Sequence, residues 1–337
     1  VSAKLQKDII ILAIESSCDD TAAAIICNGK ILANKVASQS IHELYGGVVP
    51  ELAGRAHQQN IVPVVEIALK EANISSKDLS AIAFTKGPGL IGSLMVGCSF
   101  AKSLALSLNI PLIGIHHMEA HVLAHFIDDP KPSFPFLCLT VSGGHTQIVK
   151  MNDYFSFEIL GKTIDDAAGE AFDKAAKILG LPYPGGPLVD QYAQSGNPYK
   201  FKFPQPQIPE LGFSFSGLKT SFLYFIQKQE KENSNFIEEN LADLCASIQK
   251  AIILHLMKKI IKASVQTEIK EIALAGGVSA NSALRKTIIE EGAKNNWLTY
   301  IPAFEYCTDN AAMVAMAAHF KYTLNEFEPI TTAPFAR

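Results

Sequence analysis

Apolar and polar positions alternate between two rhythms along the chain. Ile9–Glu15 is a short, continuous apolar run, the signature of a strand covered on both faces. Thr21–Cys27 reads as a second strand and Lys30–Ser38 as a third, with Asn28-Gly29 between them as a two-residue hairpin signal. Pro50–Ala72 then follows the helical period, with Pro50 where a first-turn proline is tolerated and Pro63 expected to kink it. Strand Leu79–Thr85, helix Leu90–Leu108, strand Pro111–Ile115 and a helix carrying His117–Phe126 complete the order βββαβαβα.

The Pro-rich stretch Asp128–Pro135 reads as a linker, and beyond it the order begins again. Phe136–Val141, Thr146–Met151 and Tyr154–Leu160 are the three strands, with a turn at Asn152-Asp153. Helix Asp166–Leu179, a short helix from Leu188, helix Phe236–Val265, strand Glu271–Leu274, helix Ala280–Gly292, strand Leu298–Ile301 and a last helix from Asp309 follow. About 196–235 looks irregular. A repeated element order predicts a duplicated α/β fold. Its first lobe would span 1–127, with the C-terminal helix 309–326 packing back on it, and its second 128–308. Both polar strand-to-strand turns, Glu15–Thr21 and Thr140–Thr146, would then line one nucleotide cleft.

The chain has 337 residues, 48% of them hydrophobic, which suits two globular cores. No apolar run is read as reaching the roughly 18 residues that cross a bilayer, and no signal segment is read before Ile9, so a cytoplasmic protein without a membrane partner is expected. Six cysteines without a C-x-x-C pair read as reduced, buried thiols. The net charge of −4 points to no nucleic acid, so any such contact must come from a local patch.

The sharpest chemistry is His117-Met-Glu-Ala-His121. Histidines one helical turn apart can reach a single metal. Zinc peptidases use H-E-x-x-H, but Glu119 stands two residues after His117 and so points away from the metal face. A third ligand is needed, and Asp309 is the candidate; its competing role, shared with Thr308, is to cap the last helix. Val141-Ser-Gly-Gly-His-Thr146 offers glycines that admit phosphate oxygens to backbone N–H groups. Ala275-Gly-Gly-Val-Ser-Ala-Asn281 follows a strand and opens a helix, with Asn281 able to bond a base and Ser279 as the competing N-cap.

Taken in order, these motifs resemble the tRNA N6-adenosine threonylcarbamoyltransferase family. So do Gly46-Gly-Val-Val-Pro-Glu51, Lys86-Gly-Pro-Gly-Leu90, Gly169-Glu-Ala-Phe-Asp173, Phe215-Ser-Gly-Leu-Lys219 and Cys307-Thr-Asp-Asn310. The unbroken match resembles its bacterial branch. The resemblance implies an actin/Hsp70/sugar-kinase fold of the ribonuclease-H-like type. It implies transfer of a threonylcarbamoyl group from L-threonylcarbamoyl-adenylate to the N6 of the adenosine beside the anticodon, in tRNAs reading codons that begin with A, with release of AMP. It also implies one divalent metal, Fe2+ or Zn2+, on His117, His121 and Asp309. Thr140, Val141, Ser142, Gly143, Gly144, Asp173, Gly186, Asp190 and Asn281 would hold the adenylate, where ATP or ADP could also sit. An inactive actin-like paralogue (TsaB-type) and a P-loop ATPase (TsaE-type) are the implied partners, beside tRNA. Glu15, Asp19, Asp20 and His145 are candidates for taking the amine proton. Lys86, Lys162, Lys174, Lys200, Lys202 and Lys219 are candidates for a tRNA surface. A metallopeptidase and a non-catalytic ATP-binding partner are the alternatives.

Overall fold

The computed structural model describes residues 8–336; the reading of residues 1–7 as free of a signal segment lies outside them. Two compact units divide the chain. One runs through Lys131 and resumes at Asp309, and the other spans Pro132–Thr308.

The first unit is a five-stranded sheet in the order β3-β2-β1-β4-β5. Its strands are β1 (Ile10–Glu15), β2 (Thr21–Cys27), β3 (Lys30–Ala37), β4 (Ala81–Gly87) and β5 (Leu112–His116). β1 is buried along its whole length because it is the central strand, antiparallel to β2 and parallel to β4. The hairpin between β2 and β3 turns at Asn28 (φ 49°) and Gly29 (φ 83°), the left-handed pair that a two-residue turn demands. Helices α1 (Pro50–Ala72) and α2 (Ile91–Leu108) cover one face, placing Ile61, Val65, Cys98 and Ala101 against Leu12, Ile82 and Phe84. α1 continues through Pro63, which lies on its exposed side, away from the core. A short helix α3 (His117–Leu123) starts directly at the end of β5.

The second unit repeats this plan: its sheet order is β10-β9-β6-β7-β8. β6 (Phe136–Val141) is antiparallel to β7 (Thr146–Asp153), which pairs with β8 (Ser156–Lys162). β6 is parallel to β9 (Glu271–Ala275), which pairs with β10 (Leu298–Tyr300). Helices α4 (Ala168–Ile178), α5 (Gly185–Ala193), α6 (Ser216–Glu232), α7 (Phe236–Thr267) and α8 (Ser282–Asn295) enclose a core with Leu139, Phe172, Phe213, Phe222 and Leu256 at its centre. The last helix, α9 (Ala311–Thr323), belongs to the first unit. It is buried from Ala311 to Ala318 and lies against the first sheet.

Several expectations need correction. Residues 196–235 are not wholly irregular, because α6 occupies 17 of them. The turn after β7 falls at Tyr154 and Phe155 rather than at Asn152-Asp153. A 3-10 turn, Ser40–Tyr45, follows β3. α2 does have the length and mean hydropathy (1.5) to cross a membrane. Its Leu94, Cys98, Ala101 and Ala105 are instead buried in the first core.

Candidate metal and substrate site

β5 hands over to α3 without a loop, so His117 and His121 stand one turn apart on the first helix after the sheet. Asp309 immediately precedes α9. The capping role is taken by its neighbour: Asn310 Oδ1 accepts the Met313 N–H at 3.0 Å. Asp309 Oδ1 lies 3.1 Å from His121 Nε2 and 3.5 Å from His117 Nε2. The two imidazoles meet edge-on with centroids 4.7 Å apart.

These three side chains fit a metal. Two ligands each about 2.1 Å from one cation stand about 3.0–3.4 Å apart between right-angled and tetrahedral arrangements. Of the observed separations, 3.1 Å falls inside that range and 3.5 Å just above it, and one ligand atom from each residue lies within 4.8 Å of the others. Two imidazoles and one carboxylate suit Fe2+ or Zn2+ and leave open positions for substrate oxygens.

Behind the triad stands Glu15, at the end of β1 and fully buried. Its Oε1 accepts the Ser17 N–H at 2.5 Å, and its Oε2 accepts the Thr85 hydroxyl at 2.5 Å. Oε2 also lies 3.3 Å from His117 Nδ1, which has Ser17 Oγ at 3.2 Å. A carboxylate accepting from Nδ1–H leaves Nε2 as the nitrogen turned toward Asp309, the one a metal would take once its proton is lost, the arrangement that orients a metal-binding histidine. Burial alone would raise the Glu15 carboxyl, but the facing His117 outweighs it and holds the group below its usual range. Burial opposes charge on His117, yet Asp309 and Glu15 together raise it to about 9. Both oxygens of Glu15 are engaged inside the protein, by Ser17, Thr85 and His117. Its signal was in the sequence: a lone acid closing an otherwise apolar central strand must be paired. Ser17 and Thr85, which complete the pairing, carried no such mark.

Asp19 and Asp20 are half-buried in the β1–β2 turn. Burial, with Asp309, Asp19 and Glu15 as like charges, lifts Asp20 to about 7 against the opposing Ser38 hydrogen bond. From α1, His57 reaches this turn: it accepts from Thr21 Oγ1 at 2.7 Å and donates Nε2–H to the Cys18 carbonyl at 2.9 Å. Glu119 points elsewhere. Burial raises it, and the charges it feels are Lys321, Lys86 and Glu326 rather than any member of the triad.

In the second unit the β6–β7 turn is closed by its own backbone. Ser142 N–H donates to the His145 carbonyl at 2.8 Å, and His145 N–H donates to Ser142 Oγ at 3.0 Å. Gly143 and Gly144 have open space where a Cβ would stand. Two other glycines press against this turn. A Cβ on Gly169 would meet the Ser142 carbonyl oxygen at 2.6 Å, and one on Gly276 (φ 86°) the Val141 carbonyl oxygen at 2.5 Å. Thr140 is buried just before the turn.

Asp173 Oδ1 accepts the N–H groups of Gly185 and Gly186 at 2.9 and 3.1 Å, which partly offset the rise burial imposes on it. Asp190 accepts from Ser282 N–H and Oγ at 2.9 and 2.7 Å. Asn281, rather than Ser279, caps α8: it accepts from Leu284 N–H at 2.9 Å and donates to Gln249 Oε1 at 2.7 Å. Of the candidate lysines, Lys86, Lys174 and Lys200 are engaged by Glu328, Asp166 and Asp243 at 2.7, 2.8 and 2.6 Å. Lys219 lies 3.9 Å from Asp166. Lys162 and Lys202 are exposed and pair with no carboxylate among the described residues.

Fold and site define a class: a duplicated actin-like α/β protein with a two-histidine, one-carboxylate centre in its first unit. Solved structures share this fold. Component A of the (R)-2-hydroxyglutaryl-CoA dehydratase of Acidaminococcus fermentans matches with a TM-score of 0.55 at 15% identity, covering 94% of this chain and 99% of that one. Full-length HypF in its phosphate- and nucleotide-bound form matches with a TM-score of 0.63 at 12% identity, covering 96% of this chain and 48% of that one. The sequence profile of TsaD, tRNA N6-adenosine threonylcarbamoyltransferase, matches residues 30–316. The enzyme of that name from Christiangramia forsetii is 61% identical over 332 residues, 98% of each chain. That from Clostridium botulinum is 50% identical, covering 94% of each. The chain belongs to the tRNA N6-adenosine threonylcarbamoyltransferase family, an acyltransferase family.

Proposed function

We propose that this chain transfers the threonylcarbamoyl group of threonylcarbamoyl-adenylate to N6 of the adenosine beside the anticodon in tRNAs reading codons that begin with A, releasing AMP. The observation that carries this reading is the convergence of His117, His121 and Asp309, with Glu15 fixing the first imidazole, in a member of this family. Fe2+ or Zn2+ held by Nε2 of both histidines and Oδ1 of Asp309 would supply Lewis-acid polarisation of a carbonyl oxygen.

The remaining tasks fall to the chain's own groups. Gly143 and Gly144, with no side chains in the way, offer backbone N–H groups to a phosphate as charge grows on the departing AMP. ATP or ADP can bind the same groups. Thr140, Val141 and Ser142 hold that turn in register. Asp173 sets the start of α5 at Gly185-Gly186, and Asp190 and Asn281 set the start of α8, so these three side chains shape the nucleotide site through the backbone they bind. Asp20, raised toward neutrality, is the best suited of the candidate groups to receive the amine proton; Asp19 and His145 follow it. Against the metallopeptidase alternative, the acid between the two histidines, Glu119, responds to lysines rather than to the triad. No observation favours a non-catalytic ATP-binding role.

Such a protein works in the cytoplasm on tRNA. It would do so with an actin-like paralogue of the TsaB type and a P-loop ATPase of the TsaE type. The test is mass spectrometry of tRNA nucleosides after incubation with synthetic threonylcarbamoyl-adenylate, with the chain alone and with these partners. The modified adenosine should form with the wild-type chain and disappear in the H117A/H121A double variant. Full activity in that variant would overturn the reading.

A further inference from the structure

The loop joining β10 to Asp309 displays an aromatic ring that nothing in the chemistry above uses. Phe304 opens a 3-10 turn, Phe304–Tyr306, and its side chain is 66% exposed. Most of this large apolar residue is left outside the core, so little of its surface contributes to folding. One face of the ring is nevertheless organised, because the guanidinium carbon of Arg285 sits 4.3 Å from the ring centroid.

Arg285 is itself held in place. It donates Nη1–H to the Ser279 carbonyl at 3.2 Å and Nη2–H to the Pro302 carbonyl at 3.0 Å. Its Nη1 lies 3.6 Å from Cys307 Sγ. The turn is tied by Tyr306 N–H to the Ala303 carbonyl at 3.0 Å and by Cys307 N–H to the Phe304 carbonyl at 3.2 Å. The ring is thus a fixed surface backed by a cation, not a mobile tip.

A rigid exposed aromatic with a guanidinium beneath it suits one kind of partner: the π-face of an unpaired nucleobase, whose phosphate also favours the nearby positive charge. The covalent chain fixes how far this surface can lie from the metal ligand. Phe304 and Asp309 are five residues apart, a span of at most about 18 Å for extended chain.

We propose that Phe304, backed by Arg285, stacks on an unpaired base of the tRNA loop that carries the target adenosine. It acts as a positioning and affinity residue rather than a catalytic one. This rests on the transferase reading above. Base stacking on an aromatic side chain supports roughly five- to 150-fold in affinity, from about 1–3 kcal/mol per base.

The test uses the full-length, metal-loaded chain with its partner subunits, a tRNA transcript and synthetic threonylcarbamoyl-adenylate. Steady-state constants are compared for wild type, F304L and F304W. Leucine still covers Arg285 but has no π-face, whereas tryptophan keeps one. The expected result is a KM for tRNA at least fivefold higher in F304L, with kcat and the KM for the adenylate unchanged, and a wild-type KM in F304W. A KM for tRNA in F304L within twofold of wild type overturns the proposal. So does a loss shared equally by both variants, or one that falls on kcat or on the adenylate. If the wild-type chain forms no modified adenosine, the transferase reading fails instead, which separates the two claims.

Discussion

The Glu15→Gln substitution tests the site most directly, because it changes one atom and leaves the shape of the side chain. The buried carboxylate accepts from three donors: the Ser17 N–H, the Thr85 hydroxyl and His117 Nδ1–H. A glutamine offers one oxygen and one NH2. The Ser17 N–H belongs to the backbone and cannot turn away, so the amide oxygen must stay on that side. The NH2 then faces Thr85, whose hydroxyl can rotate to accept, and His117 Nδ1, which can accept only by giving up its proton. That moves the hydrogen of His117 to Nε2, the atom that faces Asp309, where a metal ligand needs a lone pair. Loss of such an orienting partner costs about 10–100-fold in metal affinity, or roughly 1.4–2.7 kcal/mol. The assay is competition against a chromophoric chelator with Zn2+ at fixed pH, with H117A as the reference for a missing ligand. E15Q should fall between wild type and H117A while keeping a cooperative thermal transition. An E15Q protein that binds Zn2+ within twofold of wild type would refute the claim that Glu15 sets the histidine's tautomer.

Metal binding should also depend on pH. With His117 raised to about 9, binding expels its proton, so apparent affinity should rise about tenfold per pH unit toward 9 and then flatten; titrations from pH 7 to 10 check this. In the metal-free protein the sign reverses. The folded value exceeds the ordinary one of 6.5, so this stabilisation is complete below 6.5 and fades as pH rises through about 9, as urea unfolding at pH 6 and 9.5 will read. G276A should destabilise the protein by about 1–3 kcal/mol, through both its positive φ and the Val141 contact. G143A should leave the melting temperature within a degree or two while weakening adenylate binding, measured by calorimetry. N310A should lose about 1 kcal/mol as the α9 cap disappears.

Much of this molecule is legible in its sequence because strand and helix periods leave local marks. The Asn28-Gly29 turn, the apolar run of β1 and the repeat of three strands before each crossover all depend on neighbouring residues. The histidine pair was legible because one helical turn brings positions 117 and 121 together without help from the rest of the chain. What stayed hidden depends on distant partners. The start of α6 is fixed by Asp165, which accepts the Phe215 N–H at 2.8 Å and the Ser216 hydroxyl at 2.7 Å across some 50 residues. No local cap announces that helix, and the Pro-, Lys- and aromatic-rich stretch before it disguises it. Asp309 and Asn310 show the same limit from the other side. Either could cap α9 by position alone, and only the folded geometry gives the cap to Asn310 and the triad to Asp309.

Asp309 stands 188 residues beyond His121, after the entire second unit. During synthesis the two imidazoles leave the ribosome long before the acid that completes their set, and chain grows at about 5–20 residues per second. The proposed cation site is therefore complete only once the second unit has been made. Any fragment ending inside the second unit lacks Asp309, so metal loading would report that synthesis has passed that unit.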